Sequence, residues 1–550
     1  MPSARRAFAS GTRGTTRPRR NAALAVGVAA GTVGAAAAAA ALVVVQEPTS
    51  LDKLGRPFAF WREMFPIYLK YRYTQWRLQA VDEAEERDRA WDALHRAHAP
   101  QVLDLFLRLR GLYIKLGQML ATRQDIAPQV YREHFAELLD NVPALSGAEA
   151  RDIIERSLGR PLGDVFADFD DEALGAASIG QVHRATLHDG RAVVVKIQYP
   201  DAHELVRQDL VTSKQFAQLA QPEQVPAMDE LKRQVLEEFH FDKEAWALET
   251  IGKSIAPYFS DVIIPQPVHE LSNKTVLVME YIPGVKFTDA ILADAGRIAA
   301  RMGATIDDLR AGRVTTWMGI RYGAHAAADA AYTALAASYN WTLGWVAPNL
   351  PYPRKPLDIK HIFHQLVQVH GREILIDGLF NGDPHPGNIL YTPSGKIGLI
   401  DYGQVKALTR RERRELAQLI LLLAQGESAK EATIEQIKKM GFVTTKGDPH
   451  VLYKTCVIAF DRDDPEVCEG MNLQQYLEYL SKRDQTKRLP EQYIMAVRAC
   501  ILLRGMAALI GGGNISIARE WVPLAKQALA MFPEDPATDD EKPEFVPRGA

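Results

Sequence analysis

Apolar residues fall into different rhythms along this chain. Between Asp82 and Ala121 they return every three or four positions, at Leu105, Leu109, Leu112, Leu116 and Met119, the spacing of one helical face turned to a core. From Val165 to Gln198 the rhythm shortens. A run of small residues, Leu174 to Gly180, precedes Gln181 to Leu187, a His188-Asp-Gly190 turn, and a strongly apolar Arg191 to Gln198, which predicts strands joined by a hairpin. Asp229 to Ala247 reads as helix, Lys274 to Gly284 as a strand ending at a Pro-Gly break, and Ile397 to Ile400 as another strand. Beyond it the pattern is helical: Thr409-Arg-Arg-Glu412 is a capping box, Leu416, Ile420 and Leu423 continue a buried stripe, and Pro490 opens a helix through Ile494, Val497, Ile501 and Leu502. The pattern predicts an α+β chain with a small strand-bearing lobe before a mainly helical one. Phe287 to Pro356 is long for a connection, and its Ala-, Tyr- and Trp-rich middle, Ala324 to Ala347 with His325 and Asp329, reads as an insertion. From Glu534 onward, proline and acids predict a disordered tail.

The N-terminal part follows other rules. No acidic residue precedes Glu47, while Arg5, Arg6, Arg13, Arg17, Arg19 and Arg20 are scattered among Ser, Thr, Ala and Gly, the composition of an organelle transit peptide or of a basic arm. Ala22 to Val45 carries no charge and is long enough to cross a bilayer as a helix, although Ala and Gly dominate it. A cleaved leader and a low-complexity linker are the other readings. From Phe58 to Arg77 aromatic and basic residues alternate irregularly; such a segment suits a membrane-water interface or packs on the domain that follows.

With 550 residues, 47% hydrophobic and 24% charged, the chain can hold two or three globular domains. A formal net charge of −3 gives no nucleic-acid signature. Cys456, Cys468 and Cys500 lack any C-x-x-C spacing, which argues against a zinc site or a disulfide framework.

The chemistry concentrates in Asn381-Gly-Asp-Pro-His-Pro-Gly-Asn388 and Ile400-Asp-Tyr-Gly403. Asp383 stands five residues before Asn388, and Asp401 arrives at the end of an apolar strand. Phosphoryl transfer uses such a set, one carboxylate for the attacking hydroxyl or water and an amide with a second carboxylate for magnesium. The same residue types also build turns, so order matters. Upstream, Lys196 sits inside Val193-Val-Val-Lys-Ile-Gln198, where an amine is costly without an anionic partner. Helix Asp229 to Ala247 offers Glu237, Glu238 and Glu244, which otherwise read as a solvated face. The small residues Ala176, Ala177, Ser178, Ile179 and Gly180, with Val182 after them, would let backbone amides approach phosphate, and in a kinase-like fold the backbone around Glu280 to Ile282 would bond an adenine edge. On the N-terminal helix Lys115-Leu-Gly-Gln118 stands out, followed by Arg123, Asp125 and Pro128.

Together Lys115-x-Gly-Gln118, Ala176-Ala-Ser-Ile-Gly-Gln-Val-His183, Val195-Lys-Ile-Gln198, Asp383-Pro-His-Pro-Gly-Asn388 and Asp401-Tyr-Gly403 closely resemble the UbiB/aarF-type (ABC1 or ADCK-like) atypical kinases, from about Ala99 to Pro523. The resemblance implies a bilobal protein-kinase-like fold with an N-terminal helical extension. The organisation expected is a leader (1–21), a candidate span (22–45), a membrane-proximal segment (46–98), the extension (99–164), an N-lobe with hinge (165–284), a C-lobe (285–533) with an insertion at 287–356, and a tail (534–550). It implies that Lys196 holds the α and β phosphates of ATP or ADP and pairs with Glu244, that Asn388 and Asp401 bind Mg2+, and that Asp383 is the catalytic-loop carboxylate. Lys115, Gly117 and Gln118 would fold over the site and meet Glu238. It further implies an ATPase or small-molecule kinase serving isoprenoid-quinone biosynthesis or lipid homeostasis. The partners implied are a lipid or quinone precursor, an organelle membrane (mitochondrial inner membrane, alternatively chloroplast) and proteins of a biosynthetic complex. Two departures stand out. Glu238-Phe-His-Phe241 replaces the usual Glu-Leu-Asp-Phe, so His240 stands where a carboxylate would meet the extension and would make that contact pH-sensitive, and Asn381-Gly382 replaces His-Ala. Phosphorylation of a protein in trans, or a nucleotide-gated lipid-binding scaffold, are the alternative functions.

Overall fold

The computed structural model describes residues 51–545 except for short stretches at 80, 82, 123–126, 140–143, 223–224, 226–227, 229–230, 233–234, 237, 311, 344–347, 354 and 510–514. The leader 1–21 and the candidate span 22–45 lie outside the described residues, as do Arg123, Asp125 and Glu237. Among the described residues no helix is long and apolar enough to cross a membrane.

The extension comprises α1 (Leu51–Leu78), α2 (Ala84–Leu109) and α3 (Leu112–Thr122). The apolar stripe expected to run as one helix is broken at Arg110 and Gly111, which both take left-handed backbone with φ of 55°. That conformation comes readily to Gly111 and rarely to an L residue such as Arg110. The turn lets Leu105, Phe106 and Leu109 on one side and Leu112, Tyr113 and Leu116 on the other enter a single cluster. The same cluster takes in Ile179, Val206, Leu210 and Phe239 from the next domain. Each large apolar side chain buried there contributes about 1.5–3 kcal/mol, so the extension is fastened to the lobe rather than tethered beside it.

The N-lobe starts at α4 (Gly147–Leu158), whose N-terminus is closed by a Ser146/Glu149 capping box. Strands β1 (Phe166–Ala176), β2 (Gly180–Leu187) and β3 (Ala192–Gln198) follow, then α5 (Ala202–Ala220), α6 (Phe241–Ile255), β4 (Val262–Ile263) and β5 (Val276–Glu280). An antiparallel sheet has the order β1-β2-β3-β5. Alternation along β3 sends Val193, Val195 and Ile197 into a cluster with Ile153 and Ile154 of α4, while Val194 joins the cluster containing Phe241 and Leu248 of α6. Lys196 therefore shares the face of Val194. The helix expected over Asp229 to Ala247 is interrupted: Glu238 and Phe239 form a turn, and α6 begins after His240.

The C-lobe holds β6 (Val285–Lys286), α7 (Phe287–Met302), α8 (Thr316–Leu343), α9 (Ile359–Arg372), β7 (Leu379–Asn381), β8 (Ile389–Tyr391), β9 (Ile397–Leu399), β10 (Val405–Ala407), α10 (Arg410–Ala424), α11 (Glu491–Leu509) and α12 (Ile517–Met531). Strands order as β4-β9-β8-β6, and β7 pairs with β10, so the stretch from Asn381 to Gln404 leaves and re-enters one ladder with the motif residues between. Trp521 of α12 is fully buried and donates from its indole to Val367 O at 2.8 Å, tying α12 to α9.

Two expectations are corrected. The insertion does not begin at 287, because α7 buries Phe287, Asp294 and Ala299 and packs on β6 and β8; the outlying element is α8, joined to α7 by an Arg301–Asp329 ion pair of 2.5 Å. The tail is not loose over residues 534–545. Arg414 grips Asp539 through two bonds of 2.7 and 2.9 Å, the Arg410 and Arg411 N–H groups donate to Glu541 O and Asp539 O, and the Phe545 ring meets Trp246. The arginines at the start of α10 supply the counter-charge that composition alone could not locate.

Gly117 shows how tightly the extension is packed within itself. A methyl group there would lie 2.2 Å from Leu138 Cδ1 and 3.3 Å from Phe106 Cδ2. Gly117→Ala is expected to cost about 1–3 kcal/mol through overpacking, and Gly117→Ala/Leu138→Ala should be more stable than the two single losses sum to. Thermal denaturation of the four proteins checks this, and strict additivity would refute the contact.

Candidate active site

Lys196 projects from β3 into the cleft and donates to both oxygens of Glu244, at 2.8 and 2.9 Å. Glu244 lies on the first turn of α6 with its side chain 1% exposed. Burial raises its pKa to about 7, helped by the charges of Asp401 and Glu238 and opposed by Lys196. Burial alone would lower the pKa of Lys196, but Asp401, Glu244 and Glu238 together hold it above the ordinary lysine value. The Lys196 ammonium also lies 5.0 Å from the centre of the Phe241 ring. An amine in the middle of a buried strand is thus kept protonated by three carboxylates.

Asp401 lies between the lobes. A methyl built on Gly403 would touch Asp401 Oδ1 at 3.2 Å and Glu244 Oε2 at 3.6 Å, so the two carboxylates face each other across that glycine. Burial pushes the Asp401 pKa up, yet Lys196, the Gly403 N–H at 2.9 Å and Lys115 bring it below its ordinary value. The catalytic-loop segment is braced by Asn381. Its Oδ1 accepts the Asp383 N–H and its Nδ2 donates to Asp401 O, both at 2.8 Å, so one amide sets the spacing of the two aspartates. Beneath it Glu373, fully buried in a π-helical turn after α9, accepts from Tyr402 OH at 2.8 Å and from the Asn381 N–H at 3.3 Å, and lies 3.0 Å from His370 Nδ1. Asn388 closes a short turn, donating its N–H to His385 O and accepting from the Ile400 N–H. Its side-chain amide makes no hydrogen bond among the described residues and is half exposed.

The extension reaches the same place. Lys115 donates to Glu238 Oε1 at 2.7 Å, and Asp383 and Asp401 add to Glu238 in raising its pKa against burial. Glu238 Oε1 also accepts from Gln404 Nε2 at 2.7 Å, Gln404 accepts from Arg498 at 2.9 Å, and Arg498 pairs with Asp383 Oδ1 at 2.9 Å. A chain of charge-assisted bonds therefore runs from α3 through the turn before α6 and from α11 to the Asp383 carboxylate. Gln118 donates to Leu138 O at 2.9 Å, a bond within the extension itself. Among the described residues His240 makes no contact with the extension: its half-exposed ring lies 3.8 Å from Asp242, and Glu238 is the residue that meets Lys115. The bond to Lys115 is carried by Glu238, in the turn before α6, and not by the imidazole expected to make the anchor pH-sensitive.

Above the cleft, the small-residue run is a tight hairpin rather than an open loop. Ala176 pairs with Gln181, Ala177 N–H donates to Gly180 O at 2.7 Å, and Tyr199 N–H donates to Ile179 O. Ser178 and Ile179 are buried, Ile179 in the cluster of the extension. A methyl on Gly180 would come within 2.1 Å of Ile197 O; only glycine fits. Val182 is half-buried against the central core and registers with Lys196. At the hinge the Glu280 N–H is spent on Gln266 O at 3.0 Å and the Tyr281 N–H on Ala192 O, so Glu280 offers no donor to a ligand. The Ile282 N–H makes no hydrogen bond among the described residues, and its side chain is buried.

Residues 137–308 and 340–435 match the ABC1 atypical kinase-like domain. The chain belongs to this ABC1 family. A Synechocystis protein is 28% identical over 362 residues, 62% of this chain and 74% of that one. The Arabidopsis thaliana Protein ACTIVITY OF BC1 COMPLEX KINASE 1, chloroplastic, is 25% identical over 426 residues, and the Mus musculus AarF domain-containing protein kinase 1 is 27% identical over 337 residues, covering 74% and 59% of this chain. The chain spans about half the length of these last two, 52% and 53%. Most of α8 falls between the two matched segments of the ABC1 domain, and Lys115 lies before the first.

Sequence reasoning did not find Gln404 and Glu373, which lie in the matched ABC1 segments, or Arg498, which lies beyond them. Arg498 carried a usable signal, a cation inside the apolar run from Ile494 to Leu502. Gln404 follows Asp401-Tyr-Gly403 directly. Glu373 gave none, since a carboxylate beside a helix end is ordinary.

Lys196→Met leaves Glu244 buried without its cation, and should cost about 3–5 kcal/mol. Losing the amine raises the Glu244 pKa further above its ordinary 4.5. A carboxyl with a raised folded pKa keeps a proton that the unfolded chain has released, so stability falls as pH rises. The variant's Tm deficit relative to wild type should therefore be larger at pH 8.5 than at pH 6; a deficit independent of pH would refute this.

Proposed function

We propose that this ABC1 protein binds ATP or ADP with Mg2+ and hydrolyses ATP or transfers its γ-phosphoryl group to a small molecule. The observation that carries the reading is the meeting of the Lys196–Glu244 pair with Asp401 on one side of the cleft. Lys196 would bind the α and β phosphates, and Asp383 would orient the attacking hydroxyl or water. Asn388 and Asp401 suit magnesium: one carboxylate and one unengaged amide leave further positions for phosphate oxygens and water, the way this small cation is usually held. Among the described residues no cluster of three His, Cys, Asp or Glu side chains offers a separate metal cage. When bound, magnesium would neutralise phosphate charge. The hairpin at Ala177 to Gly180 would roof the phosphates, and the Ile282 N–H would meet the base.

The substrate side is read from the lid. Lys115, Gln404 and Arg498 crowd the approach to Asp383, where the peptide of a protein kinase substrate would need room, and this favours a small or lipid-like acceptor. Support of isoprenoid-quinone biosynthesis or lipid homeostasis at an organelle membrane, mitochondrial or chloroplast, follows the family resemblance and the acid-free arginine leader. The Arg498–Asp383 ion pair favours a second reading, a nucleotide-gated lipid-binding scaffold whose carboxylate is held out of use.

The first reading expects magnesium-dependent release of phosphate from ATP, reduced at least a hundredfold by Asp401→Asn and by Asp383→Asn, about the loss of a few kcal/mol of transition-state stabilisation. Wild type and both variants hydrolysing equally slowly, with nucleotide still bound, would select the scaffold.

A further inference from the structure

The helix α1 carries two apolar stripes, and only one is used by the fold. Phe60, Ile67 and Leu78 are buried, with Met64 and Tyr71 packed beside them. On the other side Phe58, Leu69, Tyr73 and Trp76 are 67, 45, 61 and 67% exposed. Their spacing of eleven, four and three residues sets them along one outward line, about 27 Å long at 1.5 Å per residue. A surface helix normally turns polar residues outward, so this face is not explained by the core of the protein.

We propose that the outward stripe of α1 is a docking surface for an anionic lipid bilayer. The proposal rests on the membrane part of the functional reading and not on its chemistry. Charge supports it. Lys70, Arg72 and Arg77 on this helix make no ion pair among the described residues, and Arg62 reaches only Glu63, which Arg108 already binds at 2.6 Å. Aromatic rings interleaved with unpaired cations suit the headgroup layer of an anionic leaflet. Position supports it too. The uncharged run Ala22 to Val45 stops five residues before Leu51, a linker reaching at most about 20 Å when extended. If that run crosses a bilayer, α1 begins beside the bilayer surface. An open groove of about 560 Å3 between α1 and α2 borders the stripe. Its cations are Arg62 and Lys70, and its carboxylates, Glu63 and Asp104, are both taken by Arg108. The helix is held for this role by Arg56, whose guanidinium binds the buried Asp209 of α5 at 2.6 Å.

The test uses the full chain reconstituted into phosphatidylcholine vesicles, with or without one-third phosphatidylglycerol, containing a phospholipid with a diazirine in its acyl chain. Adducts are mapped by mass spectrometry after illumination. Adducts at Phe58, Leu69, Tyr73 and Trp76 are expected, several-fold more abundant with phosphatidylglycerol. Arg62→Gln/Lys70→Gln/Arg72→Gln should lose that increase while keeping its helical circular dichroism. Leu69→Ser/Trp76→Ser should lose the α1 adducts in both vesicles while retaining any in residues 22–45. Adducts in 22–45 without any in α1 would overturn the docking surface and leave the membrane reading standing; adducts in neither would overturn both. Equal α1 labelling with and without phosphatidylglycerol, or α1 protected by a cross-linkable second copy, would also overturn the proposal.

Discussion

The structure is organised by one ammonium group. Lys196 stands on the cleft face of a mostly apolar strand, and an amine there is tolerated only because carboxylates from separate elements converge on it. Glu244 comes from α6, Asp401 from the end of β9, and Glu238 from the turn before α6. The mutual requirement works in both directions, since Glu244 and Asp401 face each other at short range and would repel without the cation. In a region of low dielectric each of these charges depends on the others.

Around that centre the protein adds a lid with its own charge logic. Lys115 enters from α3 and is neutralised by Glu238, and the bonds continue through Gln404 and Arg498 to Asp383. Apolar packing of the extension against Ile179, Val206 and Phe239 supplies most of the attachment, while the polar chain fixes its register. The hairpin at Ala177 to Gly180 is affected by the same packing. Ile179 is anchored in the extension cluster, so the hairpin is held by the extension. Beneath, the Asn381 amide and the Glu373 carboxylate hold the two aspartates at a defined separation.

The helix α8 stands apart from this economy. It lies largely outside the segments that match the ABC1 domain, and its Trp317, Leu335 and Trp341 are well exposed. Among the described residues it packs chiefly on α7, to which the Arg301–Asp329 ion pair holds it.

The amino-acid sequence by itself determined the alternation that puts Lys196 on the face opposite Val193, Val195 and Ile197, the capping box at Thr409, and the spacing of Asp383, Asn388 and Asp401, because these depend on neighbours a few residues away. Tertiary structure decided the rest. Which of the glutamates around α6 meets Lys196 depended on a break in the helix at Glu238 and Phe239; whether the acidic tail is loose depended on finding the arginines of α10; and the roles of Arg498 and Glu373 depended on contacts with residues more than ninety and up to thirty positions away. Local periodicity records which face of an element is apolar. It does not record which distant charge that face will meet, since ion pairs are selected by where the packed elements bring their ends together.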